Sequence, residues 1–183
     1  MTAMPRHRLP GDREAAAETE RMLRVDHAGE FGATRIYRGQ LDLLRQGRGR
    51  GEIRHMAEAE ERHLAAFETL LRERRVRPTV LQPLWSLAGY TLGAATALLG
   101  QRAAMACTVA VEEVIDEHYR DQAERLGDGD RELKARLLEF RADELAHRDC
   151  ALANGAKAAA GYDTLSHVIK AGSRLAIWLS TRF

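Results

Sequence analysis

The two halves of this 183-residue chain repeat one arrangement of acids and imidazoles, and nothing else in it constrains the fold as strongly. Glu30 is followed by Glu60-Glu61-Arg62-His63, and Glu112 by Glu144-Leu145-Ala146-His147. From Glu30 to Glu60 is 30 residues, and from Glu112 to Glu144 is 32. Tyr37 and Tyr119 each stand seven residues after the lone glutamate of their half. Residues three apart share a helical face, so each Glu-x-x-His can present both groups to one point. Two helical hairpins, each offering one Glu and one Glu-x-x-His, can enclose a pair of metal ions.

The surrounding pattern places these groups inside. Glu60 and His63 continue an apolar stripe of Ile53, Ala57, Phe67 and Leu70, and Glu144 and His147 continue one of Leu133, Leu137, Phe140 and Ala151. An unpaired buried carboxylate costs several kcal/mol, so charged residues on such stripes need a partner. A single Glu-x-x-His carries little weight. Seven His and seventeen Glu in 183 positions predict roughly 0.65 such pairs by chance. A third pair, Glu52 and His55, is a decoy: it lies eight residues before Glu60, which rotates it about 80° off that face. The parallel order of two pairs, two lone glutamates and two tyrosines is what carries the inference.

Abundant Ala, Leu, Glu and Arg, four prolines and 5% aromatic residues favour an all-α protein. Helical periodicity covers about 12–46, 52–75, 84–126, 131–154 and 162–180, with breaks at Gly47, Gly49 and Gly51, at Pro78 and Pro83, and at 127–130. Kinks in the third segment fall near Gly89, Gly93 or Gly100. The four longer segments make an antiparallel four-helix bundle. The ligand set is that of ferritin-like di-iron carboxylate bundles, with four carboxylates to neutralise two ferrous ions. The expected unit is one ferritin-like domain over 1–183, flexible over 1–12, with additional membrane-surface helical elements. Asp26, Asp143, Tyr37 and Tyr119 are candidates to hydrogen-bond the ligands from behind, since a metal-bound His donates its other N–H to a carboxylate. His27 and His118 are polar neighbours with either a structural or a functional role.

Residues 78–101 form a 24-residue window without charge, long enough to cross a bilayer. One crossing would strand the two half-sites on opposite sides, and a return crossing would have to carry the ligands. An in-plane surface segment meets both constraints. Arg72, Arg74, Arg75 and Arg77 precede it, suited to anionic headgroups, and Trp85 and Tyr90 are interfacial residue types. The last helix, 162–180, has its own apolar stripe with Trp178, Lys170, Arg174 and Arg182 beside it.

Other classes are disfavoured. Net charge is +1, with 28 basic and 27 acidic residues, so no global field favours nucleic acid as a partner. Cys107 and Cys150 form no C-x-x-C and read as small buried thiols. The N-terminal stretch has no apolar core of a secretory signal, and its arginines are soon followed by acids, which weakens a mitochondrial presequence.

The blocks Arg24-Val-Asp-His-Ala-Gly-Glu-Phe-Gly-Ala33, Glu60-Glu-Arg-His63, Cys107-Thr-Val-Ala-Val-Glu-Glu113 and Glu144-Leu-Ala-His147 closely resemble the demethoxyubiquinone hydroxylase family of ubiquinone biosynthesis. Residues 169–180 resemble that family's C-terminus. The resemblance implies a peripheral-membrane di-iron monooxygenase that hydroxylates the ring of a polyprenyl-tailed quinol with O2. It implies that Glu30 and His63 bind one iron and Glu112 and His147 the other, with Glu60 and Glu144 bridging. It further implies membrane lipid, an electron donor such as NADH or the quinol itself, and other ubiquinone-biosynthesis proteins as partners. The expected location is the cytoplasmic face of a bacterial inner membrane, or the matrix side of the mitochondrial one. Two departures stand out: Ala59 occupies the place of Asp143 in the first half, and Trp178 stands where some relatives have Tyr. Bacterioferritin-like iron storage is the runner-up, a rubrerythrin-like peroxidase lacks its C-x-x-C pairs, and a metal-free helical adaptor is a third reading.

Overall fold

The computed structural model describes residues 15–46 and 48–183. The segment 1–12, expected to be flexible, and the helix start expected near residue 12 lie outside that range. Six helices follow in order: α1 Ala15–Leu43, α2 Arg48–Glu73, α3 Gln82–Leu98, α4 Gln101–Leu126, α5 Arg131–Ala153 and α6 Tyr162–Ser180, with a 3₁₀ turn at Ala156–Ala158. No strand occurs among the described residues, so the all-α expectation holds.

The helix boundaries differ from the periodicity in two places. The 84–126 segment is two helices, because Gly100 takes φ +105°, a backbone that L side chains rarely adopt. Gly89 and Gly93 do not kink α3 but let it approach α1. A Cβ at Gly89 would lie 2.8 Å from the Gly32 carbonyl oxygen, and one at Gly93 would fall on the Ile36 carbonyl. Gly49 and Gly51 lie inside α2 instead of preceding it; the bare Cα of Gly49 makes room for the Gln101 side chain.

Helices α1, α2, α4 and α5 form the bundle, and two apolar clusters fill it. One gathers Leu23, Phe67, Leu71, Leu133, Leu137 and Phe140; the other gathers Leu44, Ile53, Met56, Met105, Val109 and Ala151. Burial of each large side chain stabilises by about 1.5–3 kcal/mol. In α1, α2 and α5 the predicted ligand positions fall between the residues of the two clusters, and in α4 Glu112 is flanked by Val109 of one and Ile115 of the other. Apolar matter therefore seals the charged layer at both ends.

The repeat extends to the outer helices. Helix α3 packs chiefly on α1, and α6 on α4. Both carry one short motif: Ala88-Gly89-Tyr90-Thr91-Leu92-Gly93 matches Ala171-Gly172-Ser173-Arg174-Leu175-Ala176. Each half is thus three helices, not two. The halves differ in how the third helix docks. Helix α3 lies backbone to backbone on α1, whereas α6 is tied to α4 by Lys170–Glu113 and by Arg174–Glu117 at 2.9 Å. A cavity opens between the two outer helices.

Candidate metal centre

Glu30 of α1, Glu60 and His63 of α2, Glu112 of α4, and Glu144 and His147 of α5 are all buried, none more than 6% exposed. Their ligand atoms gather into two groups, each within 4.8 Å: Glu30, Glu60, His63 and Glu144, and then Glu60, Glu112, Glu144 and His147. Glu60 and Glu144 belong to both. Nδ1 of His63 lies 3.2 Å from Glu144 and 3.6 Å from Glu30, and Nδ1 of His147 lies 3.1 Å from Glu60 and 3.4 Å from Glu144.

The donor set fits a pair of divalent cations. Both carboxylate oxygens of Glu60 and of Glu144, one each of Glu30 and Glu112, and both inward Nδ1 atoms lack hydrogen-bond partners among the described residues. Native interiors rarely leave so many polar atoms unsatisfied without a ligand. Without a cation the layer must hold protons. Burial, then the mutual repulsion of the carboxylates, pushes Glu60 and Glu112 well above the usual range and raises Glu144. Burial alone would lower His63, but the carboxylates of Glu144 and Glu30 beside its Nδ1 lift it to about 10. Burial lowers His147.

The groups behind the ligands cross between halves. Tyr37 donates to Glu112 at 2.7 Å and Tyr119 donates to Glu30, so each tyrosine serves the other half's glutamate. Seven residues rise about 10 Å along a helix, too far for a bond within one half. The antiparallel run of α1 and α4 brings each tyrosine beside the opposite glutamate instead. Asp143 likewise meets Nε2 of His63, at 3.0 Å across the halves. The equivalent position for His147 is Ala59, which offers no carboxylate. Asp26 does not face a cluster histidine: its Oδ1 accepts from Gln122 at 2.7 Å and lies 3.1 Å from His118 Nε2. His27 is buried, with its pKa lowered by that burial. The decoy His55 is exposed.

Residue-by-residue reading missed Gln40 and Gln122, both fully buried, although each stands ten residues after its lone glutamate and the spacing was there to see. Gln40 donates to the Ala104 carbonyl at 3.2 Å, the counterpart of Gln122 on Asp26.

A cavity of about 360 Å³ reaches this layer from between α3 and α6. Glu30 and Tyr119 stand on its wall, with Ile36, Leu92, Val114 and Ile177 among the apolar lining. Residues of α1, α3, α4 and α6 make up its wall. At one end Trp85 Nε1–H donates to Ser180 Oγ at 3.0 Å, tying α3 to α6.

A helical bundle with a buried cluster of four carboxylates and two imidazoles, opened on one side by an apolar cavity, defines a class: candidate dinuclear-metal proteins built to admit an apolar ligand. The family described as "Ubiquinone biosynthesis protein COQ7" matches residues 17–180, and the chain belongs to that family. It is 57% identical to the 3-demethoxyubiquinol 3-hydroxylase of Rhodospirillum rubrum over 176 residues, covering 96% of this chain and 83% of the relative. It is 47% identical to the Homo sapiens protein named NADPH-dependent 3-demethoxyubiquinone 3-hydroxylase, mitochondrial, over 175 residues, 93% of this chain and 81% of the relative. The Saccharomyces cerevisiae 5-demethoxyubiquinone hydroxylase, mitochondrial, is 39% identical over 184 residues, with 91% and 79% covered.

Proposed function

We propose that this protein, acting as one domain, is a monooxygenase that hydroxylates the ring of a demethoxyubiquinol with O2, at a pair of iron ions. Glu30 and His63 hold one ion, Glu112 and His147 the other, and Glu60 and Glu144 are shared. The observation that carries the reading is the cavity, which joins the carboxylate layer to the outside through apolar walls. Iron bound there supplies the redox chemistry of O2 reduction. The chain's own part is positional. Tyr37 and Tyr119 fix the carboxylates of Glu112 and Glu30, Asp143 orients the His63 ring, and the apolar clusters keep water away. Storage of iron needs no such cavity, and a metal-free adaptor needs no such layer.

The substrate's tail points to lipid. No helix among the described residues is long and apolar enough to cross a membrane. Yet α3 and α6, between which the cavity opens, expose Leu84, Leu87, Leu98, Val168, Leu175 and Trp178. These edges support a peripheral seat on the cytoplasmic face of a bacterial inner membrane, or on the matrix side of a mitochondrial one, from which a polyprenyl chain enters without leaving the bilayer. Of the basic residues expected to meet headgroups, Arg74 is instead paired with Asp130 at the start of α5. A reduced nicotinamide serves as electron donor in this reading, as the name of the Homo sapiens relative, NADPH-dependent, suggests.

The test is aerobic turnover of iron-loaded protein with a short-tailed demethoxyquinol under ¹⁸O2. One labelled oxygen in the ring is expected. Iron uptake and oxidation with no hydroxylated product would favour storage. Function that survives Glu144→Ala would favour the adaptor.

A further inference from the structure

At three glycines of the cavity an added side chain would meet no other part of the protein. Gly29 and Gly32 lie within α1, and Gly172 within α6, all in ordinary helix. A Cβ built on any of them meets nothing within 4 Å, unlike Gly39, Gly89 or Gly93, whose Cβ would strike neighbouring backbone. Glycine inside a helix destabilises it relative to alanine. All three line the cavity, and Gly29 and Gly32 bracket Glu30 at the depth of the carboxylate layer, whereas Gly172 on α6 is exposed. A second observation points to a ligand in the same place. Asp26, one turn before Gly29, lines the cavity at 1% exposure, and its Oδ2 has no hydrogen-bond partner among the described residues.

We infer that Gly29 and Gly32 form the floor of a slot for a flat, hydroxyl-bearing aromatic ring, with Asp26 Oδ2 as its polar anchor and Gly172 as the gap through which the tail leaves. This rests on the hydroxylase reading and names the residues that set its ring specificity. Bare Cα positions let a planar ring approach the helix backbone, and the uncommitted carboxylate oxygen accepts from a ring hydroxyl.

Single alanine variants at the three positions test it, with Gly51→Ala, on the exposed side of α2 and outside the cavity, as control. The expected result is a Tm at or above wild type for all four. Gly29→Ala and Gly32→Ala should weaken binding of a tail-less quinone by about tenfold or more, the usual effect of one surplus methyl in a fitted pocket. Binding is read from quenching of Trp85 fluorescence in a Trp178→Phe background. Gly172→Ala should weaken only a prenyl-tailed ligand, and Gly51→Ala neither. Variants of unchanged affinity would overturn the slot, as would a lowered Tm in all three, since the missing side chains would then serve packing. Wild type that binds the ring through these glycines but makes no product would leave the slot standing and remove the hydroxylase reading.

Discussion

Asp143 and Ala59 make the two histidines unequal, although both halves supply the same ligand types. His63 is steered from behind by a carboxylate at 3.0 Å, and no such residue stands at position 59. Loss of an outer carboxylate weakens metal binding by about 10–100-fold. Asp143→Ala should therefore weaken one of two metal affinities in a chelator-competition titration and leave the other. Two affinities lowered together, or neither, would contradict the asymmetry. The protons that the metal-free layer must carry give a second expectation. Folded-state values of Glu60, Glu112 and Glu144 lie above their ordinary 4.5. Their contribution to the metal-free fold is thus fully present below 4.5 and is lost as pH rises, while cations replace protons more readily. The rise in Tm on adding ferrous iron should be larger at about pH 7.5 than at about pH 5.5, with protons released on binding. A shift independent of pH would mean that the cation sits elsewhere. At this scale the six inward side chains were legible, because a spacing of three fixes a helical face. The partners of Tyr37, Tyr119 and Asp26 were not, because they depend on how α1 and α4 run past each other.

Among the elements, α3 and α5 depend on single local devices. Asp130 caps α5 by accepting from the Leu133 N–H at 3.1 Å, and its carboxylate also binds Arg74 at the end of α2. The Arg74 hydrogen bond holds Asp130 below its ordinary 3.8. That stabilisation is present above 3.8 and fades as pH falls through the lowered value. Asp130→Ala should cost about 1 kcal/mol in urea unfolding at neutral pH, and less in strong acid. An equal loss at both pH values would show that charge plays no part. Gly93→Ala should cost about 1–3 kcal/mol, because its methyl meets the Ile36 carbonyl and the α1–α3 contact has no room. A neutral outcome would mean that α3 is not held by backbone proximity. Helix existence was readable from periodicity alone. The roles of the glycines were not: Gly100 ends a helix through its positive φ, Gly93 admits a neighbour and Gly29 leaves space, and one letter stands for all three.

Considered as a whole, the molecule places its carboxylate and imidazole layer at the centre and its apolar edges along one side, with the cavity running between them. Leu87 and Leu175 are 68% and 56% exposed on those edges. The Leu87→Glu, Leu175→Glu double variant should keep the wild-type Tm and lose co-flotation with anionic phospholipid vesicles. Retained flotation would move the membrane seat to another face. The uncharged 78–101 window had signalled a surface segment, whereas the short Ala-Gly-x-x-Leu likeness of α3 and α6, though written in the sequence, gained meaning only once both helices were seen to line one cavity. The central claim is that six side chains from four helices hold two metal ions as one unit. Anaerobic titration of purified metal-free protein with ferrous iron, read by Mössbauer spectroscopy with ⁵⁷Fe, tests it most directly. The account predicts saturation at about two irons per chain, magnetically coupled after oxidation, and loss of that coupled pair in both Glu60→Ala and Glu144→Ala. Saturation at a single iron, or two uncoupled irons indifferent to those substitutions, would contradict it.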